Sequence, residues 1–348
     1  MSFVRKAIAE MAGYVPGEQP KGVPLVKLNT NENPYPPSPK VFEALREFDA
    51  SCLRLYSSPA SDAVREAAAE VYGMKPEQFL IGNGSDDLLT IALRTFVGEG
   101  ERLAFAEPSY SLYPVLGELQ GAQKRPVPLT ENFELPDNAA ELAGDAKLFL
   151  FARPNAPTGN PTPLPVVEKL CREFAGVVWI DEAYADFSGE SCLSFVNRFP
   201  NVVVSRTLSK SYSLAGLRLG IACAPGALIQ EMLKVKDSYN VDRLAQTLAV
   251  AALRDQAYMK ENCRRICETR DWLAGKLASL GCKVLPSATN FLFVQPKHPA
   301  PELFAGLRGK GYLVRYFALP RIDQYLRITI GTREDMEGFL AAFQELDQ

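Results

Sequence analysis

From about residue 41 to residue 240 the chain repeats one unit, a short apolar run followed by a longer stretch whose apolar residues fall at helical spacing. The runs include residues 78–81, 102–106, 147–151, 177–180 and 202–205. Apolar runs of this length set between helices read as strands buried on both faces of a largely parallel sheet. Residues able to do chemistry gather just beyond them: Asn83 and Gly84, then Glu107 and Pro108, then Asn155, Asp181 and Lys210. Open α/β sheets place their ligands at that edge. After Val241 the pattern changes to a long helix with interleaved apolar and charged residues, then strands at 290–294 and 325–330, which read as a smaller α+β lobe. The first forty residues end in NENPYPPSP (31–39), too rich in proline for a helix or a central strand, so an extended arm is expected. The expected divisions are an arm over 1–40 that contributes to the small lobe, a large α/β domain over 41–242 and a small domain over 243–348.

Composition narrows the function. With 348 residues, 47% of them hydrophobic and 23% charged, the chain buries a large core and reads as two lobes. The net charge is -3 and no stretch clusters lysine and arginine as a nucleic-acid face requires, so small molecules are the expected partners. Charges interrupt the apolar residues of the first turns before a signal-peptide core forms, and no later apolar run is long enough to cross a bilayer. Seven cysteines, an odd number scattered from Cys52 to Cys282, do not form a disulfide framework, and a reduced cytoplasm fits them. Cys263 and Cys267 lie four apart on a helical stretch with no second pair or histidine to complete a zinc site. The single histidine, His298, sits in a proline-flanked loop and is expected to be solvated. Its isolation excludes serine–histidine hydrolases and leaves acid–base work to lysine, carboxylates or tyrosine.

Lys210 lies in SRTLSKSYSLAGLRLG (205–220), between Ser209 and Arg218. A primary amine captures a carbonyl cofactor only if it is partly neutral despite a free pKa of about 10.4, and a nearby cation with partial burial achieves that. The hydroxyls and Arg218 around it suit a phosphate. Alone, such a lysine would be a solvated loop residue. GNGSDD (82–87) joins a strand to a helix that begins near Ser85 or Asp86, aiming backbone N–H groups and the helix dipole at an anion above the sheet, although Ser and Asp are also ordinary N-caps. Asp181, in VWIDEAYAD (178–186), ends a very apolar run and needs a cation there, unless it merely caps a helix. Tyr184 follows within reach of the same pocket, and Asn155 stands between Pro154 and Pro157, where it could equally shape a turn.

Taken together, these segments resemble the pyridoxal-phosphate enzymes of the aspartate aminotransferase fold, and most closely the histidinol-phosphate aminotransferases, over essentially the whole chain and in family order. The resemblance implies an aspartate-aminotransferase-like large domain with a mostly parallel sheet plus a smaller α+β domain. It implies that Lys210 holds pyridoxal 5'-phosphate, that Asp181 keeps the ring nitrogen protonated, and that Asn155 and Tyr184 hydrogen-bond the ring hydroxyl. Ser85, Asp86, Ser209 and Arg218 fall to the cofactor phosphate and Tyr110 to stacking on the ring. Tyr56 corresponds to the tyrosine that crosses a dimer interface to the neighbour's phosphate, although Ser57 and Ser58 stand where the family commonly has Pro-Asp. Arg327 corresponds to the arginine that grips the substrate anion, Arg315 to a second arginine of the small lobe, and Tyr14 and Asn33 to substrate contacts. The implied reaction is transamination of L-histidinol phosphate with 2-oxoglutarate by a cytoplasmic homodimer with shared active sites. Rival readings are an aromatic or broad-range aminotransferase, a threonine-phosphate decarboxylase, and a cofactor-binding regulatory domain, the last lacking any appended basic helix-turn-helix.

Overall fold

The computed structural model describes residues 3–20, 22 and 24–347. The arm contributes the first strand, β1 (Val26–Lys27). The main sheet follows, with β2 (Phe79–Gly82), β3 (Arg102–Glu107), β4 (Gln123–Pro128), β5 (Leu148–Ala152), β6 (Val177–Asp181), β7 (Val202–Thr207) and β8 (Gly220–Cys223). Its seven strands lie in the order β2-β8-β7-β6-β5-β3-β4. Pairs from β7 through to β4 are parallel, whereas β8 runs antiparallel to both β7 and β2. Alternate residues serve two cores. Phe149, Phe151, Val178, Ile180, Val202 and Val204 face one, and Leu148, Leu150, Trp179 and Val203 face the other. Helices cover both faces, which is why β5 and β7 read as unbroken apolar runs rather than as an alternation.

Two strands of this sheet lie outside the expected runs. β4 carries Pro126 and Pro128 and is mostly exposed, and proline is accommodated there because the strand is at the sheet edge. β8 spans only four residues, directly after the Lys210 segment.

The smaller sheet contains β9 (Lys283–Val284), β10 (Phe291–Gln295), β12 (Arg315–Tyr316) and β13 (Leu326–Thr329), in the antiparallel order β12-β13-β10-β9. The arm joins this side of the molecule, since β1 pairs in parallel with β11 (Tyr312–Leu313). The helix Arg243–Leu253 packs against the helices Pro39–Glu47 and Asp62–Tyr72, and the long helix Gln256–Ser279 then carries the chain to the small sheet. Local sequence sets these helix ends: Ser38 accepts from the Lys40 N–H ahead of a proline-led helix, and Thr332 with Asp335 forms a capping box on Arg333–Leu346. His298 is not merely solvated, because its backbone N–H and Nδ1 both meet the buried Asp347 carboxylate. Among the described residues no helix is long and apolar enough to cross a membrane.

Candidate active site

A cavity of about 300 Å³ opens where β2, β3, β5, β6 and β7 end and antiparallel β8 begins. The arm and the small sheet form its other wall through Tyr14, Thr30, Asn31, Arg315 and Arg327. Lys210 sits at the base. Its Nζ donates to the Thr30 carbonyl at 3.0 Å, tying the lysine to a residue 180 positions earlier. Burial drives the Lys210 pKa down to about 8, and the neighbouring Arg327 and Arg218 charges push the same way against Glu32. The amine is therefore far closer to neutrality than a free lysine, as carbonyl capture requires.

One end of the cavity suits a phosphate. β2 ends at Gly82, and Gly84 turns the chain at φ 83° into the helix Ser85–Phe96, whose first N–H groups face the cavity edge. Arg218 lies so near that a Cβ on Gly84 would stand 2.5 Å from its guanidinium. Gly220 likewise lets β8 pass against the turn, since a Cβ there would meet the Gly84 and Ser85 backbone within 2.9 Å. Ser85, Asp86, Thr207, Ser209 and Arg218 all line this end. The Asp86 carboxylate is itself engaged, accepting from the Tyr110 hydroxyl at 3.1 Å and from Arg218 at 3.4 Å. The donors at this end able to meet an anion are Ser85, Ser209 and Arg218, and Asp86, expected at the same phosphate, holds the arginine.

Asp181 closes β6 and lines the cavity while only 5% exposed. The hydrogen bonds it accepts are long: 3.2 Å from the Ala183 N–H, 3.3 Å from Ser205 and 3.4 Å from Tyr113. Burial pushes its pKa up to about 6, because these donors do not offset the lost hydration. Tyr110 lines the wall beside it, packed edge-on against Tyr14 and Tyr113. Tyr184 contributes a buried hydroxyl that accepts from Asn31 at 2.8 Å. Asn155 is buried just behind the wall, where its amide donates to the Pro108 carbonyl and Thr158 and accepts from Ser109.

The other end carries two arginines. Arg327, on β13, is half-buried, and its lost hydration lowers its pKa from the usual guanidinium value. One terminal nitrogen donates to the Asn29 carbonyl, while Nε has no hydrogen-bond partner among the described residues. Arg315 donates to the Val15 and Pro16 carbonyls. Among the described residues neither pairs with a carboxylate. Two cations facing one cavity without counter-charges make a receptor for an anion.

Besides Asn155, two of the named residues stand off this cavity, one of them, Tyr56, expected at the neighbour's site instead. Asn33 does not line the cavity: its amide donates to the Lys210 and Ser211 carbonyls, so it holds the lysine loop, and Asn31 faces the cavity in its place. Tyr56 is 78% exposed and stacks on Tyr239 at 4.4 Å, away from this chain's own cavity. The sequence reading also missed Glu32 and Thr207. Glu32 is bridged to Lys27 and Thr30 on the cavity wall, and Thr207 orders Ser209 by accepting its backbone N–H. Glu32 stands between Asn31 and Asn33 in the arm motif, and Thr207 was visible in the lysine segment itself.

The family model for class I and II aminotransferases matches residues 23–343. A histidinol-phosphate aminotransferase of Geobacter sp. (strain M21) is 49% identical, covering 99% of both chains. The crystal structure of the Sinorhizobium meliloti histidinol-phosphate aminotransferase in complex with pyridoxal-5'-phosphate superposes with a TM-score of 0.91 at 25% identity, over 99% of this chain and 98% of that one. An aspartate aminotransferase of Thermus thermophilus shares the fold, with a TM-score of 0.82 at 22% identity over 99% of this chain and all of that one. A half-buried lysine of lowered pKa, a carboxylate-free arginine pair and a glycine turn at a helix start thus stand on a chain that belongs to the class I and II aminotransferases, in the histidinol-phosphate aminotransferase family.

Proposed function

We propose that this protein transfers the amino group of L-histidinol phosphate to 2-oxoglutarate, giving imidazole acetol phosphate and L-glutamate in histidine biosynthesis. The observation that carries the substrate reading is the pair Arg315 and Arg327 on the cavity wall, without a carboxylate partner among the described residues. That pair accepts a phosphate in one half-reaction and a carboxylate in the other.

The cofactor is pyridoxal 5'-phosphate, and the residues present fit it. Asp181 is a buried carboxylate with only long hydrogen bonds and, among the described residues, no ion pair, and a protonated ring nitrogen would supply the cation. Ser85, Ser209 and Arg218 would hold the phosphate at the helix start, Tyr110 would cover a ring face, and Tyr184 would meet the ring hydroxyl; Asn155, behind the wall, would join it by exchanging one of its bonds to Pro108, Thr158 or Ser109. When bound, the cofactor supplies an aldehyde that captures the substrate amine and a ring that takes up the electron pair left at Cα. The protein's own part follows from its residues. Lys210, an amine of lowered pKa, would be the base that takes up and gives back the proton at the substrate Cα. Asp181 holds positive charge on the ring nitrogen while that proton moves. Arg327 and Arg315 fix the substrate anion, and Tyr14 lines the cavity as a further substrate contact.

The same reading makes the protein a cytoplasmic homodimer, and the exposed Tyr56, stacked on Tyr239, supports a shared site in which Tyr56 reaches the partner's phosphate. The β1–β11 pairing supports lobes in which residues 1–40 travel with a small domain over 243–348, against a large domain over 41–242. Steady-state assays with purified histidinol phosphate, phenylalanine and threonine phosphate, each with 2-oxoglutarate, test the reading. Histidinol phosphate as the preferred donor supports it; phenylalanine as the better donor, or decarboxylation of threonine phosphate, defeats it.

A further inference from the structure

Asn31 is 1% exposed and adopts φ 57°, the left-handed region that asparagine tolerates better than most residues. Every polar group it carries is engaged. Its N–H donates to Thr329 Oγ1 at 3.0 Å, its carbonyl accepts from Asn290 at 2.9 Å, and its side-chain Oδ1 accepts from Thr329 Oγ1 at 3.0 Å. Its Nδ2 then faces the Tyr184 hydroxyl at 2.8 Å. The orientation of this amide follows from proton counting. Thr329 Oγ1 already accepts the Asn31 N–H, so its single proton goes to Asn31 Oδ1, and the reversed amide would leave that buried proton without an acceptor among the described residues. With Nδ2 donating, the Tyr184 oxygen is an acceptor, and its own proton is free to point into the cavity that Tyr184 lines.

We propose that Asn31, locked by Thr329 on β13, is a positioning residue that aims the Tyr184 proton at the ring oxygen of the cofactor. The inference rests on the reading that Tyr184 meets that oxygen. It makes a strand of the small sheet, 145 positions beyond Tyr184 in the chain (329 − 184), part of the electronic control of the lysine-bound cofactor. A hydrogen bond donated to an ionised ring oxygen favours the deprotonated form of the lysine-bound cofactor, so losing it raises the pH midpoint of that form.

The test is a visible-absorbance pH titration of the purified holoenzyme. Tyr184→Phe examines the underlying reading. Asn31→Gly removes the amide while keeping a residue that accepts positive φ. We expect each to raise the midpoint by about one pH unit, the size of a charge-assisted hydrogen bond, and the double variant to rise no further than Tyr184→Phe alone. Thr329→Ser retains the wild-type midpoint, and Thr329→Val, which lets the amide turn over, raises it even if Asn31→Gly fails to fold. A midpoint that rises in Tyr184→Phe but stays at the wild-type value in Asn31→Gly and Thr329→Val overturns the role of Asn31 and leaves that of Tyr184 standing. Additive shifts in the double variant overturn it as well, because Asn31 would then act by another route. An unchanged midpoint in Tyr184→Phe removes the underlying reading and this inference with it.

Discussion

Asp181→Asn should stabilise the cofactor-stripped protein at neutral pH and cripple the holoenzyme, and the opposite signs make it informative. In the fold the Asp181 pKa is pushed up from 3.8 to about 6 by burial, a displacement of about 2 units. At 1.36 kcal/mol per unit this is a penalty of about 3 kcal/mol on the folded state whenever the carboxylate is charged. The sign runs opposite to that of a salt-bridged aspartate. Above pH 6 the folded protein carries the full penalty; as pH falls from 6 towards 4 the native carboxyl protonates first and the penalty fades. Denaturant unfolding of stripped wild-type and Asp181→Asn protein between pH 4 and 8 should show the variant more stable by up to about 3 kcal/mol at pH 8, with the gap closing near pH 4. With cofactor bound the ring nitrogen supplies the missing cation, so the same substitution breaks a buried charge pair, a loss of about 3 to 5 kcal/mol. It should then lower cofactor affinity and turnover. A stripped variant less stable than wild type at pH 8, or a gap that does not change with pH, would refute the claim that Asp181 is a buried charge awaiting a cation.

Other outcomes follow from the same geometry. Borohydride treatment and peptide mapping should find the cofactor on Lys210, and in stripped protein the amine should label with a midpoint near pH 8; labelling elsewhere, with Lys210→Ala still coloured, contradicts the assignment. Mixed Tyr56→Phe and Lys210→Ala chains should recover activity on subunit exchange, because one site of each hybrid carries neither lesion, whereas a fully active monomer rules out shared sites. Gly84→Ala places a Cβ 2.5 Å from the Arg218 guanidinium at a positive φ, so equilibrium dialysis should show weakened cofactor binding, and unaltered affinity would remove this turn from the phosphate site.

The parts legible in the sequence were those whose physics is local. Strands β5, β6 and β7 are buried on both faces and announce themselves as apolar runs, and the residues that follow them, Asp181 and Lys210, fall at the sheet edge by geometry alone. β4 was hidden because an edge strand does not need apolar residues, and β9, β11 and β12 because two residues carry no period. The roles of Asn31 and Asn33 could not be separated, since both stand in one short motif and only the backbone turn at Asn31 sends one amide to Tyr184 and the other to the lysine loop. The contact of Lys210 with the Thr30 carbonyl is likewise a product of tertiary folding. What the lysine segment did carry was its chemistry, because amine, hydroxyls and arginine lie within nine residues of one another (218 − 209).

The central claim is that one arginine pair serves two different anions. Single-turnover absorbance traces of each half-reaction, with histidinol phosphate in one and glutamate in the other, test it in Arg327→Ala and Arg315→Ala. Removing Arg327 should slow both half-reactions by about 2 to 5 kcal/mol in kcat/KM, and removing Arg315 should weigh more heavily on histidinol phosphate than on glutamate. Equal, small losses for both substrates in both variants would place the anion elsewhere and contradict the histidinol-phosphate reading.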